Sequence, residues 1–416
     1  VKELFKPGST LILIGAGGVG KTTVAASIGM AAAMTQLDTV VITVDPARRL
    51  RDALGIERLS VRPTRIDGRR LRAAGLDHKL RLSAMVLDVK RTWDGLVERF
   101  VKDPGARRTI MENSFYRNLT EQFAGAEAYA ALEQLYDLHS SGRFDLEVVD
   151  TPPATHAFEF IQAPAHLVRL LDSPAARWLF LPYAAASQGV AGLAGRAARF
   201  VVNQLESFTG LETLKSISEF FSAAAEATGA VSQRFHTTEM LLRSPNLHFV
   251  LVTTPREDRL KEARAVMKQM DEAGLKLRAI VLNRTLDATT FDAFATAPRR
   301  LPRHLEEIGL MRKSLAAESP EDRRLEPLIG YLEDYAANQQ AMIEQAARFA
   351  REVPTRVKIA VVPEVEVGVR DLGALAKIAS ILVSGTSGRR FLENAAGTLA
   401  RQTSARPTPV SRRATR

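Results

Sequence analysis

Gly15-Ala16-Gly17-Gly18-Val19-Gly20-Lys21-Thr22-Thr23 has the spacing G-x-x-x-x-G-K-T. That pattern makes a loop whose backbone N–H groups converge on an anion, with glycines letting the main chain approach closely. A buried-strand run, Leu11 to Ile14, precedes it, and a helix-forming run, Val24 to Ile28, follows. The helix N-terminus adds its partial positive charge. Backbone donors at Gly17, Gly18, Val19, Gly20 and Thr23 would cradle phosphates. Lys21 would reach the β- and γ-phosphates, and the Thr22 hydroxyl would hold Mg²⁺.

Two carboxylates stand where such a loop needs them. The run Thr39 to Val44 ends in Asp45, and Asp145 to Val149 ends in Asp150. Carboxylates at the C-terminal ends of parallel strands face the ligand crevice. Asp45 is the candidate to orient an attacking water, and Asp52 a candidate support for the Mg²⁺ shell. A helix N-cap followed by Pro46 is the competing reading of Asp45. Asp150 would hold Mg²⁺ through water. The strand Leu277 to Leu282 ends in Asn283-Arg284, where the amide could read an adenine edge and the guanidinium could stack on it. His156, in a proline-rich loop after Asp150, is assigned no proton-transfer role.

These residues need strands to hold them. Further strands are expected over Leu82–Asp88, Leu247–Thr253 and Val357–Val362, with helices over Arg259–Ala273 and Leu325–Phe349 and a closing one to Leu382. Strands alternating with helices imply an α/β chain with a mostly parallel, doubly wound sheet. Apolar residues at helical spacing from about 95 to 140 and from 187 to 243 imply an inserted α-helical subdomain. One large domain over 1–383 is expected. The stretch 384–416, rich in Ser, Thr, Gly, Pro and Arg, is expected to be a basic, disordered tail.

The chain has 416 residues and a formal net charge of +10, but Arg389 to Arg416 holds seven Arg and one Glu. The remainder is close to neutral, which argues against nucleic acid as a partner. Cysteine is absent. That removes disulfides and thiolate metal sites, and fits a cytoplasmic setting. No apolar run is long enough for a transmembrane helix, and the N-terminal residues do not read as a secretion signal.

The glycine-rich loop resembles the deviant Walker loop of the dimeric ATPases that include the ArsA, or arsenical-pump, family. Three further segments are similar to that family's: Asp45-Pro46-Ala47 through Asp52, its first switch; Asp150-Thr151-Pro152-Pro153-Ala154-Thr155-His156, its second; and Pro363 with Val365, Val367, Asp371 and Leu372, its adenine loop. Leu87-Asp88-Val89-Lys90-Arg91-Thr92-Trp93 and Asn113-Ser114-Phe115-Tyr116 are similar to the bacterial subgroup called anion-transporting ATPases.

The resemblance implies a Mg²⁺-dependent ATP hydrolase that binds ATP and ADP and dimerises across its nucleotide sites. It assigns catalysis to Asp45 and Lys21, and Mg²⁺ to Thr22 and Asp150. It assigns nucleotide contacts to the loop, Asn283, Arg284, Pro363 and Val365. It leaves open a homodimer or a heterodimer with a related ATPase, and a membrane-protein targeting or chaperone role, with a membrane surface or membrane protein as client, or a weakly hydrolysing scaffold. Two departures matter. Ala16 stands where those loops carry a lysine that reaches the partner's nucleotide, so a homodimer is expected to be slow. Without cysteine, the thiolate sites for As(III) or bridging zinc have no ligands here.

Overall fold

The computed structural model describes residues 1–44, 48–56, 59–122, 124–151, 211–315, 326–365, 372–384 and 387–404. The long apolar, β-branched runs are its strands. They are β1 (Ser9–Ile14), β2 (Thr39–Thr43), β3 (Thr64–Arg65), β4 (Leu82–Val86), β5 (Leu146–Asp150), β6 (Leu247–Thr253), β7 (Leu277–Leu282) and β8 (Lys358–Val361). They form one sheet in the order β3-β4-β2-β5-β1-β6-β7-β8. Every pairing is parallel except β3 with β4. Strands buried on both faces need no polar alternation, and β1 and β2 are buried along their whole length.

The helices are, in chain order, α1 (Lys21–Met34), α2 (Arg48–Leu54), α3 (Gly68–Ala73), α4 (Val89–Phe100), α5 (Pro104–Glu112), α6 (Ser114–Gln122), α7 (Ala124–Ser141), α8 (Leu211–Ala224) and α9 (Thr228–Leu242). There follow α10 (Glu257–Glu272), α11 (Ala288–Thr296), α12 (Arg303–Leu315), α13 (Glu326–Glu352), α14 (Leu372–Ser384) and α15 (Gly388–Ser404). The pleat sends alternate strand residues to opposite faces. Leu11, Leu13, Val250 and Val252 meet one core with residues of α1 and α14, while Ile12, Ile14, Phe249 and Leu251 meet another with residues of α7, α10 and α13. Helix α1 packs against the sheet and against α14. Its Val24 to Ala33 run is buried on every side, as a helix apolar all round must be.

Helices α4 to α9 pack on one another beyond the second face. Glu133 of α7, almost fully buried, ties three of them together. Its two oxygens accept from the Arg234 guanidinium of α9 at 2.8, 2.9 and 2.6 Å and from the Tyr129 hydroxyl at 3.0 Å, and it pairs with Arg99 of α4 at 3.4 Å. A buried carboxylate needs this many donors. The part of the expected subdomain over 187–210 lies outside the described residues. No helix among those described is long and apolar enough to cross a membrane.

The tail expectation is corrected. Residues 388–404 form α15, which packs on α13 and β8. Phe391, Leu392, Ala395 and Leu399 are buried, and the Phe391 ring stacks on Phe291 with centroids 4.9 Å apart. These four residues carry a helical period that the bulk composition hides. Arg389 donates to the carbonyls of Ala350 and Val353, capping the end of α13. Residues 405–416 lie outside the described residues.

Candidate nucleotide site

The glycine-rich loop leaves β1 at Ile14 and enters α1 at Lys21. Its shape excludes side chains at two points. A Cβ on Gly15 would lie 2.2 Å from the Val252 carbonyl oxygen, and Gly20 has φ +91°, a left-handed conformation that favours glycine. Gly20 occupies the N-cap position of α1 with no side chain to bond the first N–H groups. A helix start with no side-chain cap of its own is the arrangement that the sequence spacing requires for an anion.

Lys21 is buried, and its ammonium donates to the carbonyls of Gly15 and Ala16 at 2.8 and 3.0 Å. The charge thus stands across the start of the loop. Thr22 and Thr23, half-buried, follow in the first turn of α1. Asp150 ends β5, paired with Leu13 of β1 on one side and Thr43 of β2 on the other. Its Oδ2 accepts from the Thr43 hydroxyl at 3.2 Å, and the next residue, Thr151, donates to the Leu13 carbonyl at 2.6 Å. The carboxylate is therefore fixed beside the strand from which the loop springs. Thr43 had no signal in the sequence beyond its place at a strand end, while Thr151 stands in the Asp150 to His156 segment that the sequence already singles out.

Asn283 follows β7 and is buried. Its amide donates to the Val19 carbonyl at 2.8 Å, so it touches the loop itself. Arg284 has φ +54° and places its guanidinium 3.5 Å from the Gly18 carbonyl. Pro363 is buried and Val365 half-buried just after β8. That segment is joined to the Asn283 segment: Thr285 N–H donates to Val362, Glu364 N–H donates to Leu286, and Asp287 bridges to Glu364. The loop, Asp150, Asn283, Arg284 and Pro363 thus all lie at the C-terminal ends of neighbouring strands. A cavity of about 680 Å³ borders Gly17, Gly18, Val19, Arg284 and Glu364 there.

Asp45 and His156 lie outside the described residues. Asp52 is exposed on α2 and pairs with its neighbour Arg51 at 3.0 Å.

The donor set fits Mg²⁺. It consists of one hydroxyl and one carboxylate, both hard oxygen ligands, and no group of three or more metal-binding side chains occurs among the described residues. Mg²⁺ is held in this way, with phosphate oxygens and water completing its shell, rather than in an all-protein cage.

The family model described as anion-transporting ATPase matches residues 9–308, from the start of β1 into α12. The chain belongs to this ArsA ATPase family. Among its curated relatives, the ATPase ASNA1 homolog of Babesia bovis is 31% identical over 162 residues, covering 38% of this chain and 39% of that protein. The ATPase ARSA1 of Chlamydomonas reinhardtii is 24% identical over 322 residues, 71% of this chain and 38% of the relative. The ATPase ASNA1 homolog 1 of Paramecium tetraurelia is 24% identical over 277 residues, 65% of this chain and 73% of the relative. The first two matches span about two fifths of those relatives' lengths. Family membership agrees with the mostly parallel eight-stranded sheet and with the loop at the end of β1.

Proposed function

We propose that this chain binds MgATP on the loop Gly15–Thr23 and hydrolyses it, with two chains facing each other across their nucleotide sites. The observation that carries the reading is the conjunction at the strand ends: an uncapped helix N-terminus, a buried ammonium at Lys21 and a fixed carboxylate at Asp150. Bound Mg²⁺ would neutralise charge on the transferring phosphoryl group. The protein's part is positioning and electrostatics. Gly17, Gly18, Val19, Gly20 and Thr23 offer backbone donors, Lys21 compensates the growing charge, and Thr22 and Asp150 hold the ion. Asp45 orients the water. Arg284, Pro363 and Val365 surround the base. Ala16 has neither charge nor reach, so the partner's site receives no cation from it, and the homodimer turns over slowly. Hydrolysis rearranges the helices from α4 to α9.

The apolar cavity among those helices, walled by Trp93, Tyr116 and Phe220, is about 80 Å³. That is a packing gap rather than a ligand pocket, so it does not favour a client groove within the described residues.

The test is ATP turnover measured over a range of protein concentrations, for wild type and Asp45→Asn. Turnover per chain should rise with concentration, reporting dimerisation. Asp45→Asn should lower kcat by about 10²-fold with nucleotide affinity retained. Normal turnover in the variant would remove Asp45 from the mechanism, and turnover independent of concentration would remove the dimer.

A further inference from the structure

The bond between Asn283 and Val19 joins residues 264 positions apart, and its acceptor belongs to the glycine-rich loop itself. Asn283 is held from both sides. Its backbone N–H donates to the Thr253 carbonyl at 2.8 Å, fixing it to the end of β6, and the next N–H but one, at Thr285, donates to Val362 beside β8. The amide is buried and fills the space that a side chain at Gly20 would need: a Cβ there would lie 2.4 Å from Nδ2. Gly20 is thus glycine for two reasons, its positive φ and the presence of this amide.

The orientation of the amide follows from chemistry. The Val19 carbonyl only accepts, so the NH₂ end must face it. The Val19–Gly20 peptide is trans, as are all described peptide bonds. In a trans peptide the C=O and N–H point in opposite directions. Holding the Val19 carbonyl toward Asn283 therefore turns the Gly20 N–H away from it. Gly20 is the N-cap of α1 and the residue before Lys21, so its N–H is among the donors an anion on this loop would meet.

We propose that Asn283 is a positioning residue for the phosphate cradle: it fixes the plane of the Val19–Gly20 peptide and so aims the Gly20 N–H at the phosphates. This rests on the phosphate-binding reading of the loop. It differs from base recognition, because the effect extends to a ligand that has no base.

The experiment uses inorganic tripolyphosphate with Mg²⁺ beside MgATP. Both are titrated into the full chain as wild type, Asn283→Ala and Asn283→Asp. The alanine leaves the Val19 carbonyl without its donor. The aspartate keeps the shape but sets an acceptor against an acceptor. Both variants should bind tripolyphosphate about ten-fold more weakly than wild type, and ATP at least as much more weakly. Ligand-induced shifts in Tm, each read from the variant's own unliganded baseline, keep a destabilised variant informative. Variants that lose ATP affinity but bind tripolyphosphate as wild type does would overturn the proposal and leave Asn283 a base reader. Wild type that bound neither ligand would instead defeat the phosphate-binding reading itself.

Discussion

At the scale of single residues, the sheet has a second polar cluster at its opposite end. Glu147 of β5 is buried. It accepts from the Thr10 hydroxyl at 2.6 Å and lies 3.4 Å from His139 Nδ1 in the last turn of α7. Burial holds its carboxyl above the usual range, against the opposing pull of Thr10 and His139. A carboxyl raised in the folded state favours folding only while protonated. Its contribution is full below the unfolded pKa and is lost as pH rises through the folded one. Glu147→Gln removes that titration and can still accept from Thr10. The variant's stability relative to wild type should therefore increase from acid to neutral pH. Urea denaturation at pH 4 and pH 7.5 checks this. A relative stability that fell with pH would mean that the charged pair with His139 outweighs burial.

The same scale shows what a linear chain reveals. Gly15 to Thr23 is legible because its chemistry is contiguous, and Asp150 because it ends an apolar run. The partner of Asn283 is not legible. A bond to a backbone carbonyl 264 residues away leaves no mark on residue type at Val19. Asn283 reads from sequence as a group facing a base; in the fold its NH₂ holds the loop.

At the scale of elements, α15 changes what the C-terminus is expected to tolerate. Composition makes everything after Ser384 look dispensable. In the fold, ending the chain before Ser387 strips Phe391, Leu392, Ala395 and Leu399 from the core and uncaps α13. Loss of a single large buried side chain costs about 3 kcal/mol, so this truncation should lower Tm by several degrees or prevent folding. Ending the chain after Ser404 removes no described contact and should leave Tm unchanged. Thermal melts of the two truncations decide it, and equal melting temperatures would show that α15 does not contribute to the core.

The strands were legible for a simple reason: β-branched and apolar runs bounded by turn residues have few other readings. The boundaries of β6 and β7 coincide with those runs. The two-residue β3 is too short to leave a pattern, and its pairing with β4 rests on tertiary placement. Helices α11 and α12 flank a polar, proline-containing stretch, Ala297 to Pro302, and no single apolar face stands out in them.

At the scale of the whole molecule, the strand order explains why distant segments share one site. β1 lies between β5 and β6, and β7 and β8 follow on that side. All five run parallel, so their C-terminal ends bring the loop, Asp150, Asn283 and Pro363 to one edge. The family match ends at residue 308, yet β8, α14 and α15 lie beyond it and complete the sheet and both cores. The fold class, β8 and the closing helix α14 were therefore readable from alternating strands and helices, while α15 owed its place to packing.

The most direct test of the account is a calorimetric titration of MgATP into wild type and Lys21→Ala. Lys21 supplies the only side-chain charge placed within the loop, and a charge-assisted donor to buried phosphate is among the strongest single contacts available. The account predicts saturable binding to wild type and a loss of about 100-fold in affinity for Lys21→Ala. Equal affinity in the two proteins, or no binding to wild type, would contradict it.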